Sequence, residues 1–318
     1  YKREEIFRQE GWNYHLEQKE GPLKYNGVVY NEMKGAFSSP DEVLEREIMN
    51  HLFPDTTYGC ESGGDPKNIP DLTYENFLNF HRTYYHPSNS YIYLYGNMDM
   101  EEKLAFLDEH YLSHFDYLDV DSVIQEQKAF GACQDVTLEY PVAENEGEED
   151  NTYLSYNMVV GNAADSQMAM AFEVLDYALL SAPGAPLKQA LLDVKAGKDV
   201  YGSYDDGILQ PYFTVIAKGS NPDRKEEFVS VIRQVLGDIV KNGIDKKAVE
   251  AGINYFEFRY READFSSYPK GLMYSLDILG DWLYESKAPF AQVQMLKVFE
   301  NLKKAVNEGY FEALIRRY

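Results

Sequence analysis

The sequence predicts an α+β fold of mainly antiparallel sheets with helices packed on one face. Alternating apolar positions mark strands, as at Leu154, Tyr156, Met158 and Val160, because successive side chains of a strand point to opposite faces. Apolar positions at helical spacing mark amphipathic helices: Phe228, Val231, Ile232, Val235, Leu236, Ile239 and Val240 sit at offsets 0, 3, 4, 7, 8, 11 and 12. In the second half strands come first and helix pairs follow, the order of an α+β rather than a parallel α/β chain. With 318 residues and 44% hydrophobic content the chain can bury real cores, and at about 150 residues per domain it should form two. We expect residues 1–116 in a first domain, 117–134 as a linker where the pattern loses period, and 135–318 in a second domain.

Taken in order, Lys2 to Gln9 reads as a polar helix carrying Ile6 and Phe7, ended by Gly11, and Trp12 to Leu16 alternates as a strand. After Pro22 and Asn26-Gly27 comes a short helix containing Glu32, which stops at Gly35 or soon after. Ser39, Pro40, Asp41 and Glu42 open the next helix, with a cap, a first-turn proline and acids at the positive end of the dipole. Val43, Leu44, Ile48 and Leu52 give it one buried face and Pro54 closes it. Residues 55–70 are rich in turn formers, including Ser62-Gly-Gly-Asp-Pro66. Paired glycines let backbone approach a ligand or turn tightly, but no lysine follows at phosphate-loop spacing. Thr73 caps a helix to about Tyr84, with Asn76 three residues on.

Tyr91-Ile-Tyr-Leu-Tyr95, ended by Gly96-Asn97, reads as a strand, and Glu101 to Phe115 as a helix. Val136, Leu138 and Tyr140 alternate before the acidic run Glu144–Asp150. With the alternation after it, this predicts an expanded hairpin around a solvated loop. Helices are expected at 165–180 and 186–195 with a break at Pro183-Gly184, and strands at 200–204 and 212–217. Asn221-Pro222 opens the long helix, Gly243 ends it, and Asp245 caps the next, with Val249, Ile253, Phe256 and Tyr260 on one side. Two or three further helices reach Tyr318.

A formal net charge of −23 argues against nucleic acid and against anionic membrane surfaces, both of which it repels; it permits cationic peptide substrates, whose local concentration it raises, while solubility alone is its more ordinary reading. No apolar run approaches the ~18 residues that cross a bilayer. The start, Tyr1-Lys-Arg-Glu-Glu-Ile-Phe7, is charged and helix-like rather than signal-like, and reads as the interior of a longer protein. Cys60 and Cys133 sit in no CxxC or Cys/His cluster. That favours a reducing compartment, a bacterial cytoplasm ahead of an organelle matrix.

By itself Glu32 is one of 53 acidic residues, and pairing with a lysine would be its ordinary role. Its setting changes that. Gln9-Glu-Gly-Trp12, Gly27-Val-Val-Tyr-Asn-Glu-Met-Lys-Gly-Ala-Phe37, Leu52-Phe-Pro-Asp55, Tyr58, Ser62-Gly-Gly-Asp-Pro66, His81-Arg-Thr-Tyr-Tyr-His-Pro-Ser-Asn89 and Tyr95-Gly-Asn97 follow one another in ordered spacing. In these residues the chain resembles the pitrilysin/insulinase superfamily of zinc peptidases, most closely its presequence-protease branch. Pro183 to Leu192 and Tyr201 to Ser220 extend the likeness more diffusely over nearly the whole chain.

The resemblance implies a site made of an inverted HxxEH helix plus a downstream glutamate in an N-E-x-K-G setting, and that glutamate maps onto Glu32. Zinc takes three N/O ligands and keeps a fourth position for water, and the glutamate of HxxEH is the general base. None of His15, His51, His81, His86, His110 and His114 heads an HxxEH, so the base lies outside this chain and no catalytic or substrate-binding residue is assigned within it. His110 and His114 have i, i+4 spacing with no base between them and read as surface histidines on an amphipathic helix. His81 and His86 lie in matched segments away from the family's ligands and read as structural.

The implied roles are the end of a first peptidase domain in 1–116 and the second domain of the family in 135–318. The implied cofactor is zinc in the intact parent protein, with none bound stoichiometrically here, since affinity comes from the assembled set. The implied partners are unfolded, basic peptides, an upstream segment and a C-terminal half that closes a chamber. One reading is therefore a segment of a zinc metalloendopeptidase, inactive alone. A second is a non-catalytic relative serving as a scaffold or processing-complex subunit, distinguished by a degenerate upstream HxxEH. A third, a self-contained acidic peptide-binding module, is opposed by the abrupt helical start.

Overall fold

The computed structural model describes residues 2–142, 147–263, 265–284 and 289–318. Glu144 and two residues after it, within the acidic run, lie outside these ranges. The chain divides into two compact units, Tyr1–Pro141 and Val142–Tyr318; residues 117–134, expected as a linker, and 135–141 fall in the first.

The first unit contains α1 (Glu4–Glu10), β1 (Asn13–His15), β2 (Lys24–Asn26), α2 (Val28–Ala36), α3 (Pro40–Leu52), α4 (Tyr74–Tyr84) and α5 (Met100–His110). The two short strands pair antiparallel with Tyr14 opposite Tyr25. Local chemistry sets the helix starts. Pro40 occupies the first turn of α3, Thr73 and Asn76 form a reciprocal capping box on α4, and Asp99 accepts from the Glu102 amide at 3.0 Å on α5. The core is small: Phe7, Trp12 and Ile69, with Tyr30, Met33 and Tyr74 packed against them. Trp12 is fixed further by its indole N–H, which donates to the Leu72 carbonyl at 2.8 Å. Of the face predicted for α3, Ile48 is buried and Val43, Leu44 and Leu52 are half-buried.

Two expected strands do not form. Residues 91–95 and 136–140 carry strand-like patterns but no strand assignment, and among the described residues no strand pairs with either. Tyr93 and Tyr95 stack at 6.5 Å, as i, i+2 side chains of extended backbone do. A strand, however, needs a neighbour to take its backbone donors and acceptors. The expected hairpin around the acidic run therefore reduces to its second half. The helix expected to reach Phe115 stops at His110, and His114 ends a separate 3₁₀ turn, Leu112–His114. The two histidines are exposed and share no single helix.

The second unit contains β3 (Thr152–Val159), α6 (Ser166–Asp176) running into a π turn (Tyr177–Ser181), α7 (Pro186–Asp193), β4 (Asp199–Asp205) and β5 (Tyr212–Ser220). Five helices follow: α8 (Lys225–Asn242), α9 (Lys246–Glu262), α10 (Lys270–Trp282), α11 (Leu296–Ala305) and α12 (Tyr310–Arg317). The sheet order is β3-β5-β4, antiparallel throughout. Tyr156, Val215 and Gly202 lie abreast in the register, so Leu154, Met158, Phe213, Ala217, Val200 and Tyr204 share their face by alternation. That face enters one core with Phe172, Leu175, Phe228, Ile232, Ile253, Phe299 and Phe311. The fold is thus α+β, as the sequence predicts.

Gly202 marks the closest approach of sheet and helix. A Cβ there would lie 2.3 Å from Leu180 Cδ1 and 2.8 Å from the Thr214 carbonyl oxygen. The second neighbour is backbone in the central strand and cannot swing aside. Gly202→Ala should therefore destabilise the second unit by about 1–3 kcal/mol, the usual cost of overpacking, read as a lower urea midpoint. An unchanged midpoint would show that β4 can move away from the π turn without loss.

Candidate functional site

Glu32 sits at the middle of α2, and the helix is held by the face opposite to it. Tyr30 and Met33 are three residues apart, one turn of a helix, and both pack on Phe7, Trp12 and Ile69. Glu32 is exposed, and among the described residues it makes no hydrogen bond and no ion pair, Lys34 included. Backbone bonds fix the start of α2: the Tyr30 amide donates to Gly11 at 3.2 Å and the Asn31 amide to Gly27 at 3.0 Å. Rings from Trp12 through Tyr14 and Tyr25 to Tyr30, 5.4–5.9 Å between successive centroids, tie the β1–β2 pair to the helix.

The Ser62–Pro66 loop lies against this helix. A Cβ on Gly63 would fall 2.2 Å from Met33 Sδ, so the loop rests on the Met33 side chain, which any larger residue would have to push aside. Asp65 organises the loop: its Oδ1 accepts from the Lys67 amide at 2.7 Å, and its carbonyl accepts from the Asn68 and Ile69 amides at 2.8 and 2.9 Å. Arg46 of α3 stands 3.9 Å from Asp65 and 4.0 Å over the Phe37 ring beyond the end of α2. Met33, Gly63, Asp65 and Arg46 thus position the helix. The sequence marks the loop by its turn formers but not these contacts. Their one sequence signal was the Tyr30–Met33 spacing.

The histidines serve other ends. His81 stacks on Tyr85 at 4.7 Å, His86 accepts from the Ser88 amide at 3.2 Å, and His51 Nδ1 lies 2.7 Å from the Glu47 carbonyl. Among the described residues no group of three or more His, Cys, Asp or Glu is placed to hold a metal ion. Glu32 supplies a free carboxylate of the kind zinc accepts, and the remaining ligands of a three-donor site are not beside it.

The second unit holds a half-buried acidic group near the C-terminal end of β4. Burial first, then repulsion from Asp206 and Asp176, pushes the Glu173 carboxyl up to about 7, with Arg259 partly offsetting. Burial also raises Asp176, opposed by the Ser181 hydroxyl that donates to its Oδ2 at 3.0 Å. It raises the Tyr204 phenol as well. Perturbed carboxyls are often functional, but among the described residues these form no group placed to hold a metal ion.

A family model described as the peptidase M16 inactive domain matches residues 71–256. Over 318 residues the chain is 50% identical to Protein HypA of Clostridium perfringens (strain 13 / Type A), covering 100% of this chain and 33% of that one. Over 306 residues it is 36% identical to Presequence protease 1, chloroplastic/mitochondrial, of Arabidopsis thaliana, covering 95% of this chain and 28% of that one. The crystal structure of a peptidase M16 inactive domain from Pseudomonas fluorescens aligns with a TM-score of 0.56 at 17% identity, over 91% of this chain and 66% of that one. The chain therefore spans about a third of the length of the curated relatives it matches. Glu32 lies outside the residues that the family model covers.

Glu173 gives a pH dependence with a definite sign. Its folded value of about 7 lies above the ordinary 4.5, so folding takes up a proton between those values, and stability falls as pH rises from about 4.5 to about 7. Glu173→Gln should stabilise the chain at pH 8 by roughly 1–3 kcal/mol, and the gain should vanish near pH 4.5, read by denaturant melts at both. A gain of equal size at both pH values would assign the effect to packing instead.

Proposed function

Because the chain belongs to the M16 peptidase family, we propose that it is a segment of a zinc-dependent metalloendopeptidase that degrades unfolded peptides in an enclosed chamber. In this reading the chain contributes Glu32 as the distal zinc ligand and has no peptidase activity alone. The observation that carries the reading is the state of Glu32, exposed and unpaired on a helix pinned by its other face. With 53 acidic against 30 basic residues many carboxylates have no cation to pair with, so the weight rests on the fixed helix that presents Glu32 rather than on the missing partner. The scaffold reading is less well supported, since relatives that abandon the chemistry have no reason to keep that carboxylate and its setting.

Zinc would supply Lewis acidity when bound. This chain's own part is confined to holding one carboxylate in place, through Met33, Gly63 and the Arg46–Asp65 contact. Burial supports a further part of the protein beyond this chain. In this reading it covers exposed side chains of the first unit such as Tyr14, Leu23, Phe80, Tyr85, Phe106 and Tyr117. The net charge of −23 suits basic peptides, since it raises their local concentration. Among the described residues no helix is long and apolar enough to cross a membrane. A reducing compartment, with a bacterial cytoplasm foremost, fits the two free cysteines.

Two measurements test this. The isolated chain should carry no stoichiometric zinc after dialysis and cleave no unfolded peptide; one tightly held zinc per chain would overturn that. A version extended upstream to include an HxxEH helix should gain zinc. There Glu32→Gln should weaken metal binding by about a hundredfold or more, since even outer-shell changes cost 10–100-fold. Unchanged zinc content would remove Glu32 from the ligand set.

A further inference from the structure

The second unit contains a cavity of about 190 Å³ bounded by β3 and β5 and by α6, α8 and α12. Its walls are apolar, chiefly Met158, Phe172, Leu175, Phe213, Leu236 and Ile315. Tyr156 and Val215, and Met158 and Phe213, are register pairs, so the floor of the cavity is the inner face of the sheet.

Polar side chains also reach it. The Tyr318 hydroxyl is directed to the Met168 sulfur at 3.7 Å. Tyr156 and Arg233 line the cavity too, and among the described residues neither side chain makes a hydrogen bond or ion pair. Arg233 is exposed, so the cavity reaches solvent at that side chain. In a chain with 53 acidic and 30 basic residues, an arginine without a carboxylate beside it has a donor fork to offer.

We infer that this cavity binds a compact apolar monocarboxylate, with its carboxylate on Arg233 and Tyr156 and its body among Phe172, Leu175, Phe213 and Leu236. The size fits one ring or a branched alkyl group, since a void of ~150 Å³ with similar walls holds benzene. The headgroup follows from the guanidinium, whose planar donors match a carboxylate in two parallel bonds. A single cation within a field of −23 disfavours a dianion. Two sources share this chemistry, a free carboxylic acid and the C-terminal residue of a peptide. The inference stands apart from the peptide-cleavage reading, because binding here needs no metal and no Glu32.

Calorimetric titration of the 318-residue chain with phenylbutyrate and with N-acetyl-glycyl-phenylalanine, each against its primary amide, tests it. At least one acid should bind with one site per chain, and its amide about tenfold or more weaker, the usual worth of a hydrogen bond to a charged group. Arg233→Met, which keeps the apolar stem at an exposed position, should weaken the acid by a similar factor. Leu236→Trp should fill the cavity and abolish binding; if it fails to fold, the arginine variant decides alone. Tighter binding of the blocked peptide supports the site as one for peptide C-termini, and tighter binding of phenylbutyrate supports free acids. Absence of saturable binding by both, equal affinity of acid and amide, or an unaffected Arg233→Met overturns the inference.

Discussion

Strand β5 is the constraint on which the second unit depends. It hydrogen-bonds to β3 on one edge and β4 on the other, and Tyr212 to Ala217 are all buried. Such a strand cannot shift by one residue without sending Phe213, Val215 and Ala217 to the opposite face. The Gly202–Val215–Tyr156 register then decides how near the helices may come. Gly202 admits Leu180, and the π turn at Tyr177–Ser181 presents Ala178, Leu179 and Leu180 in succession to the core. A regular helix separates successive side chains by about 100° and would turn one of them outward.

Periodicity revealed those parts of the fold whose stability is local or whose burial is one-sided. The helix α8 keeps the expected face, with Phe228 and Ile232 fully buried and Val231, Val235, Leu236 and Ile239 packed on the core. Capping chemistry at Thr73 and Asp245 marked the starts of α4 and α9 where they occur. Residues 91–95 and 136–140 show the limit, since alternation describes a chain able to pair and not whether an edge is there to receive it. The cavity at Arg233 and the acidic surroundings of Glu173 were also beyond reach. Each joins residues from distant parts of the chain, brought together only by the sheet.

The two units differ in how much they bury. The second has a contiguous core drawn from its sheet and from helices α6 to α9, α11 and α12. The first relies on Phe7, Trp12 and Ile69 as its contiguous cluster, with Ile48 and Phe53 buried elsewhere, and leaves many aromatic side chains in solvent. Burial of apolar area is the main source of stability, and large exposed patches mark contact with other protein.

The site around Glu32 follows from the same economy of contacts. As one carboxylate among 53 acids it carries no signal of its own, and its neighbours in sequence distinguish it only by resemblance. Structure adds a physical distinction. Tyr30 and Met33 spend the apolar face of α2 on the core, Gly63 lets the Ser62–Pro66 loop lie on Met33, and Arg46 closes the far end over Phe37. The result is a fixed helix with an unneutralised charge on its free side. The contacts that fix α2 serve the core of the first unit, and they also hold the carboxylate in place, as pre-positioned ligands of a metal site require. A carboxylate on the free side of a helix fixed from its other side is the physical support for the proposal that Glu32 serves as a metal ligand.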